Sequence, residues 1–232
     1  TAIDATNGRE LWKSDGTDAG TVLVKDIRSG NNTSSPSSLT AMNGALYFSA
    51  FDGTDTELWK SDGSAAGTVK LKDINASGSS NPGSLTVVSN LLYFSADDGI
   101  NGAELWKTNG TNAGTVLVKD IHPGAAGSGP QYITAANGLV YFSADDLSNG
   151  TELWKSDGTA AGTVLVKNIA AGAAGSFPYN ITASGGLVYF SASDGINGTE
   201  LWQSNGTSAG TFIYDITPGS FGSSPSNLTD VN

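Results

Sequence analysis

Apolar residues in this chain occur in short runs, and polar, glycine-rich segments separate the runs. Between residues 131 and 167 four such runs follow one another, at 131–135, 139–144, 152–155 and 163–167. They are rich in β-branched and aromatic residues, and nowhere does the 3.6-residue spacing of an amphipathic helix appear. Tight turn sequences such as Asn137-Gly138 stand between them. The pattern predicts four short strands, named a, b, c and d in chain order, that are joined by hairpins.

This four-strand pattern occurs five times. Strand c and the turn after it carry the motif Glu-Leu-Trp-Lys-Ser-Asp-Gly-Thr, which begins at Glu152 in the fourth copy. A period of 47 or 48 residues is typical of a stacked or circular array of one supersecondary unit. Four antiparallel strands per unit are typical of a β-propeller blade. We therefore expect an all-β fold, a five-bladed β-propeller of four-stranded antiparallel blades. The tryptophans that mark the period are Trp12, Trp59, Trp106, Trp154 and Trp202.

The two ends of the chain predict how the ring closes. Thr1 aligns with Ser49 and Asn232 aligns with Asn43, so the ends cover complementary parts of one unit. We expect residues 226–230 to form strand a of the blade whose other strands lie at the N-terminus. The first blade is then split between about 1–30 and 219–232, in a single domain of residues 1–232 that forms a monomeric ring. The alternative is five units from a longer array, in which the ring would not close this way.

Composition excludes several functions. Twenty-two acidic and eleven basic residues give a net charge of −11, which argues against nucleic acid and anionic membranes as partners. Cysteine is absent, so neither disulfides nor thiolate metal sites can form. No apolar run approaches the roughly 18 residues of a membrane span. His122 is the only histidine, which excludes a multi-histidine metal site.

The repeated carboxylates also argue against an enzyme. One glutamate opens strand c in every unit, and a paired-carboxylate hydrolase needs one distinguished pair in different environments. Five equivalent glutamates indicate instead a hairpin or interstrand contact. They are Glu10, Glu57, Glu104, Glu152 and Glu200.

The turn after strand c is interpreted as structural. Asp and Asn in turns accept hydrogen bonds from nearby backbone amides, and glycine takes the positive-φ positions. Aspartate in three copies is asparagine in the other two, so the position requires an acceptor rather than a charge. The residues assigned to this hairpin, besides the five tryptophans, are Asp15, Asp62, Asn109, Asp157 and Asn205.

With these residues in place, the chain resembles the E-L-W-x-x-D-G-T repeat family of secreted and surface proteins of bacteria. The likeness covers essentially the whole chain. It implies a β-propeller-like repeat protein located outside the cell or on its surface, and it implies no firm activity.

The opposite face of the predicted ring varies from unit to unit, and loops on a rigid scaffold often carry function. Its b–c loops contain the candidate ligand-binding residues Asp52, Asp98, Asn101, Asp146, Asn149, Asp194 and Asn197. Its d–a loops bring aromatic residues to or near the same face: Tyr132, Phe177, Tyr179 and Phe221.

Three interpretations of these loops compete. Polar side chains with nearby aromatic residues favour shallow glycan sites, repeated around the ring so that weak contacts add. Carboxylate and amide oxygens are also ligands that Ca²⁺ takes, although the spacing matches no EF-hand. In the third interpretation the loops are solvated turns. We thus predict a non-catalytic extracellular binding module without a committed cofactor, with glycans or another surface protein as partner. The alternatives are a structural module of a larger bacterial surface protein, and a fragment or engineered propeller without a ligand.

Overall fold

Within residues 1–231, which the computed structural model describes, nineteen β-strands form five antiparallel sheets, here called blades 1 to 5. Blade 1 has three strands and each of the others has four. Blade 1 contains β1 (Ala2–Asp4), β2 (Gly8–Lys13) and β3 (Val22–Lys25). Blade 2 contains β4 (Ser37–Met42), β5 (Ala45–Phe51), β6 (Thr56–Ser61) and β7 (Val69–Lys72). Blade 3 contains β8 (Gly83–Val88), β9 (Leu91–Asp97), β10 (Ala103–Thr108) and β11 (Val116–Lys119). Blade 4 contains β12 (Gln131–Ala136), β13 (Leu139–Asp145), β14 (Thr151–Ser156) and β15 (Val164–Lys167). Blade 5 contains β16 (Tyr179–Ser184), β17 (Leu187–Ser193), β18 (Thr199–Ser204) and β19 (Thr211–Tyr214).

The predicted all-β class and the four-strand unit are confirmed. In blades 2 to 5 the strands pair in the order a, b, c, d, so each hairpin joins neighbours in the sheet. Strands b and c are in register along their whole length, with Phe142 opposite Trp154 in blade 4. Strand d of blade 4 bulges opposite Leu153 and Trp154. Val166, the unpaired residue at this bulge, is buried in the core between blades 4 and 5.

The hydrophobic core lies between blades. Alternation along strand b sends Val140 and Phe142 toward the preceding blade, where they pack with Leu105. It sends Tyr141 toward the following blade, where it packs with Phe190. Because successive residues of a strand point to opposite faces, one strand contributes to two interfaces. Each blade therefore depends on its neighbours for burial of its apolar side chains.

Lysines of strand d add a polar tie across each of these interfaces. Lys119 donates to the Thr163 carbonyl of the next blade at 2.8 Å, and its ammonium lies 5.7 Å from the centre of the Trp154 ring. Lys25, Lys72 and Lys167 make the equivalent hydrogen bond. In blade 5 the segment 211–216 is one residue shorter than its equivalent 163–169, strands c and d pair without a bulge, and Tyr214 replaces the lysine.

The predicted strand a at the C-terminus is not observed as a strand. Residues 226–230 carry no strand assignment, and the sheet of blade 1 ends at β1 within the described residues. In blade 4 the pairing partners of strand a are mainly Leu139, Val140 and Tyr141. Among residues 1–231 no strand pairs with the C-terminal segment in this way. Asn232 lies outside the described residues.

Candidate functional site

The glutamates that open strand c hold the d–a connections in place. The Glu57 carboxylate is fully buried and accepts hydrogen bonds from the backbone N–H groups of Ile74, Asn75 and Ser80 at 3.1, 3.4 and 3.1 Å. The Ser80 hydroxyl donates a fourth bond at 2.6 Å. The other four glutamates bind their own d–a loops in the same way. Their role is therefore to fix the loops that carry the variable face.

The pKa values of Glu57, Glu104 and Glu152 shift in the opposite direction to that of Glu200. Burial raises the pKa of Glu57, Glu104 and Glu152 in spite of the hydrogen bonds that they accept. For Glu200 in blade 5, burial acts in the same direction, but hydrogen bonds from Ser223 and Ile216 outweigh it and lower the pKa. The difference follows from desolvation, because only the inner blades are covered on both sides.

The hairpin after strand c is the same in all five copies. The Asp62 carboxylate accepts from the N–H and hydroxyl of Ser64 at 2.8 and 2.7 Å. The amide oxygen of Asn109 accepts the same two bonds from Thr111, at 3.1 and 2.7 Å. Asp15, Asp157 and Asn205 do likewise. Only one oxygen atom is used in each case, so an amide serves as well as a carboxylate. This turn is a structural lock.

The candidate residues of the b–c loops also bind their own loops. Asp98 accepts from the backbone N–H groups of Ile100 and Asn101 at 2.9 and 2.8 Å, and the Asn101 amide donates to its second oxygen at 2.8 Å. The pairs Asp146–Asn149 and Asp194–Asn197 repeat this arrangement. For Asp98 and Asp194 burial acts to raise the pKa, and the hydrogen bonds outweigh it and lower the pKa.

Asp52 differs from the other candidates in having a charged partner. Lys70 of β7 makes ion pairs with Asp52 at 2.8 Å and with Asp55 at 2.5 Å. Burial opposes ionisation of Asp52, but the Lys70 ammonium and two backbone amides outweigh it and lower the pKa of its carboxyl. The seven candidates thus lie in the loops of four blades, one or two to a loop, and each is held locally.

No group of three or more histidine, cysteine, aspartate or glutamate side chains that could hold a metal ion occurs among residues 1–231. The same part of the chain includes no helix that is both long and apolar enough to cross a bilayer.

An aromatic pocket lies on the variable face, at the boundary of blades 4 and 5. Its volume is about 390 Å³, and Tyr132, Phe177 and Tyr179 supply aromatic rings. Gln131 and Thr151 add polar groups at its wall. This size and mixture are those of a small-molecule site, in which apolar walls hold a ligand and few polar groups orient it. We call these residues the aromatic pocket; Gly129, Ser143 and Pro178 complete its lining.

The aromatic pocket departs from the repeat. The position of Phe177 is Ser35, Asn81, Gly129 or Ser224 in other units, and that of Tyr132 is Ser38, Ser84, Asn180 or Asn227. Every one of these residues has positive φ, including Phe177 at 50° and Tyr132 at 53°. That region suits glycine and asparagine and is costly for bulky side chains. The pocket therefore has aromatic rings at positions where smaller residues would be less strained. The Phe177 side chain is also 62% exposed, so burial does not account for its presence.

None of the seven predicted b–c residues lines the aromatic pocket. The sequence analysis assigned the aromatic residues of this pocket to the variable face, but it did not predict that their rings line one pocket. A comparison of the five units at each position would have shown the signal, since only the entrances to strand a of blades 4 and 5 carry aromatic residues at these positions.

No protein-family model and no curated protein matches the chain. Among solved structures, it is similar to a prolyl endopeptidase, with a TM-score of 0.53 and 10% identity over 87% of this chain. It is also similar to a puromycin hydrolase, with a TM-score of 0.55 and 14% identity over 86% of this chain. The chain spans 29% and 31% of those two proteins. At this identity the likeness concerns the fold alone, and the chain has the architecture of a β-propeller-like domain.

Proposed function

We propose that the protein is a non-catalytic β-propeller binding module that acts outside the cell or on a bacterial surface. Its ligand is a glycan, and the aromatic pocket between blades 4 and 5 binds it. The observation that carries this proposal is the convergence of Tyr132, Phe177 and Tyr179 on a pocket that has no equivalent aromatic set in the other units. As in the sequence-based prediction, the site belongs to the face formed by the b–c and d–a loops.

The chemistry of the pocket fits a sugar ring. The C–H faces of a pyranose pack on aromatic rings, and its hydroxyls need hydrogen-bonding partners at the edge of the pocket. Gln131, Ser143 and Thr151 supply such groups at the wall. The net charge of −11 favours neutral or cationic glycans over acidic ones. Five similar carboxylates, all bound to their own loops, support a role without catalysis.

A glycan array probed at high protein density, with and without calcium, tests the proposal. We then expect Tyr132→Ser and Tyr179→Ser to weaken binding of the best glycan at least tenfold. Serine occurs at both of these positions in other units, so the fold should tolerate the two substitutions. Phe221→Ser is the matched control, because Phe221 is an exposed aromatic residue of a d–a loop that does not line the pocket.

Silence on all glycans under both conditions would contradict the proposal and leave the structural repeat module as the better explanation. Binding that survives both tyrosine substitutions would contradict the location.

A further inference from the structure

A second cavity adjoins the aromatic pocket on the variable face. Its volume is about 530 Å³, and its wall consists of residues 38–40, 84–86 and 131–133, at the entrances of the strands a of blades 2 to 4. We call it the inner cavity. Hydrogen bonds tie its wall together, since the Thr40 hydroxyl donates to the Leu85 carbonyl at 3.4 Å and the Thr86 hydroxyl donates to the Ile133 carbonyl at 2.6 Å.

The two cavities meet at the entrance of β12. Gln131 and Tyr132 line both of them, and the Tyr132 side chain is 43% exposed. A ligand held in the aromatic pocket can therefore continue past the Tyr132 ring into the inner cavity without leaving the surface of the protein. Each volume lies within the range of about 300–1,000 Å³ that small-ligand sites have, so each cavity can hold a separate part of one ligand.

The inner cavity offers hydrogen-bonding groups that the fold does not use. The hydroxyls of Ser38 and Ser84 and the side-chain amide of Gln131 make no hydrogen bond to any other residue among 1–231. The hydroxyls of Thr40 and Thr86 donate to carbonyls, but their oxygens can still accept. These small donors and acceptors are the partners that sugar hydroxyls need.

Neither cavity has a charged residue among the described residues of its lining. The b–c loops of the same face, by contrast, are rich in aspartate, as in Asp97-Asp98 and Asp145-Asp146. A carboxylate or ammonium group on the ligand would lose water in these cavities without gaining a counter-charge, and that loss is costly. The lining therefore favours a ligand without charge.

We infer that the two cavities form one extended site for a neutral linear glycan. One part of the chain stacks in the aromatic pocket, and the units that follow pass Tyr132 and enter the inner cavity. This inference rests on the proposed function and adds the length and the charge of the ligand. Because the two parts of the site are joined, each added unit binds intramolecularly, so affinity rises with chain length until both cavities are filled.

Malto-, cello- and N-acetylated chito-oligosaccharides, from the monosaccharide to the hexasaccharide, are the probes for titration calorimetry. In at least one series we expect the hexasaccharide to bind at least tenfold more tightly than the disaccharide. Fully deacetylated chito-oligosaccharides and oligogalacturonates are the charged counterparts, and they should bind at least tenfold more weakly than neutral chains of equal length.

The double variant Ser38→Gly, Ser84→Gly should weaken binding of the hexasaccharide at least fivefold, and the loss should grow with chain length. Glycine suits the φ of 54° at both positions, so the variant should keep its fold. Ser89→Gly is the matched control, because Ser89 is also a serine with positive φ, 56°, and it lines neither cavity. Tyr179→Ser should weaken binding at every chain length, because Tyr179 lines the aromatic pocket alone.

The inference is overturned if affinity is independent of chain length, or if the double variant binds the hexasaccharide as tightly as wild type. It is also overturned if charged chains bind as tightly as neutral ones, or if the glycan array shows binding only to branched or charged glycans. In all of these results glycan binding itself persists. Failure of the proposed function differs from them, because no glycan would then bind at any length.

Discussion

Glu57→Gln separates the two opposing effects that act on the buried glutamates. The side chain has two oxygens, and Glu57 uses both for four hydrogen bonds. Glutamine retains one acceptor oxygen, which can keep the N–H groups of Asn75 and Ser80. Its NH₂ group then faces Ser80 Oγ, which can turn to accept, and the Ile74 N–H, which cannot. One buried N–H is left without a partner.

The cost of that orphaned N–H is about 1–3 kcal/mol. Loss of the charge weakens the remaining bonds, and removal of a desolvated carboxylate offsets part of this weakening. We expect a net loss of about 2 kcal/mol in the free energy of unfolding at pH 7. For a domain of this size that corresponds to a fall in Tm of roughly 4–8 °C. Urea and thermal unfolding, followed by tryptophan fluorescence, measure both quantities.

The pH dependence carries the sharper test, because Glu57 and Glu200 have opposite pKa shifts from the ordinary 4.5. The folded pKa of Glu57 is raised, so its contribution to stability is full below the unfolded pKa and is lost as pH rises through the folded pKa. The folded pKa of Glu200 is lowered, so its contribution is present above the unfolded pKa and is lost as pH falls through the folded pKa.

Wild type should therefore gain stability over Glu57→Gln as pH falls from 7 toward 4.5. It should lose stability relative to Glu200→Gln as pH falls below 4.5. Asp62→Asn is the control at pH 7, since its hairpin uses one oxygen and the equivalent Asn109 is natural; we expect its stability to stay close to that of wild type. If the stability difference between wild type and variant changes with pH in the same direction for Glu57→Gln and Glu200→Gln, this account of desolvation is refuted.

Phe177→Asn should raise the free energy of unfolding by about 1 kcal/mol, because asparagine tolerates the positive φ of that position. The same substitution should weaken glycan binding. An unchanged Tm would show that the backbone at Phe177 is not strained. Lys119→Met should lower stability by about 1–2 kcal/mol, because it leaves the Thr163 carbonyl unpaired and removes the contact over Trp154. Lys155→Met, at a position with no such bond among residues 1–231, is its control in the same urea titration. Addition of a chelator should leave Tm unchanged, and a fall in Tm would indicate a bound cation.

The sequence was sufficient for the class of fold and for the blade unit. The signals used were local: the alternation along the strands, the Asn-Gly turns and the spacing of the five tryptophans. Because each signal recurs along the chain, a strand or turn that is unclear in one unit can be assigned from the others. The same comparison identified the hairpin lock, because an Asp-to-Asn exchange is visible without coordinates. The identity of the glutamate partners was not visible, since Glu57 and Ser80 lie in separate segments that only the sheet brings together.

The tertiary structure decided where the chain departs from symmetry. The aromatic pocket arises because Tyr132 and Phe177, which are 45 positions apart, belong to adjacent blades, and sequence spacing alone does not show that their rings converge. The Asp and Asn residues of the b–c loops looked available as ligands in the sequence, yet the aspartate oxygens accept bonds from backbone N–H groups of the same loops and from the asparagine side chains. Residues 226–229 have the sequence pattern of a strand a, but the structure shows no strand there. Local pattern fixes which residues can form a strand, and only the arrangement of neighbours determines whether each one is paired, covered or left open.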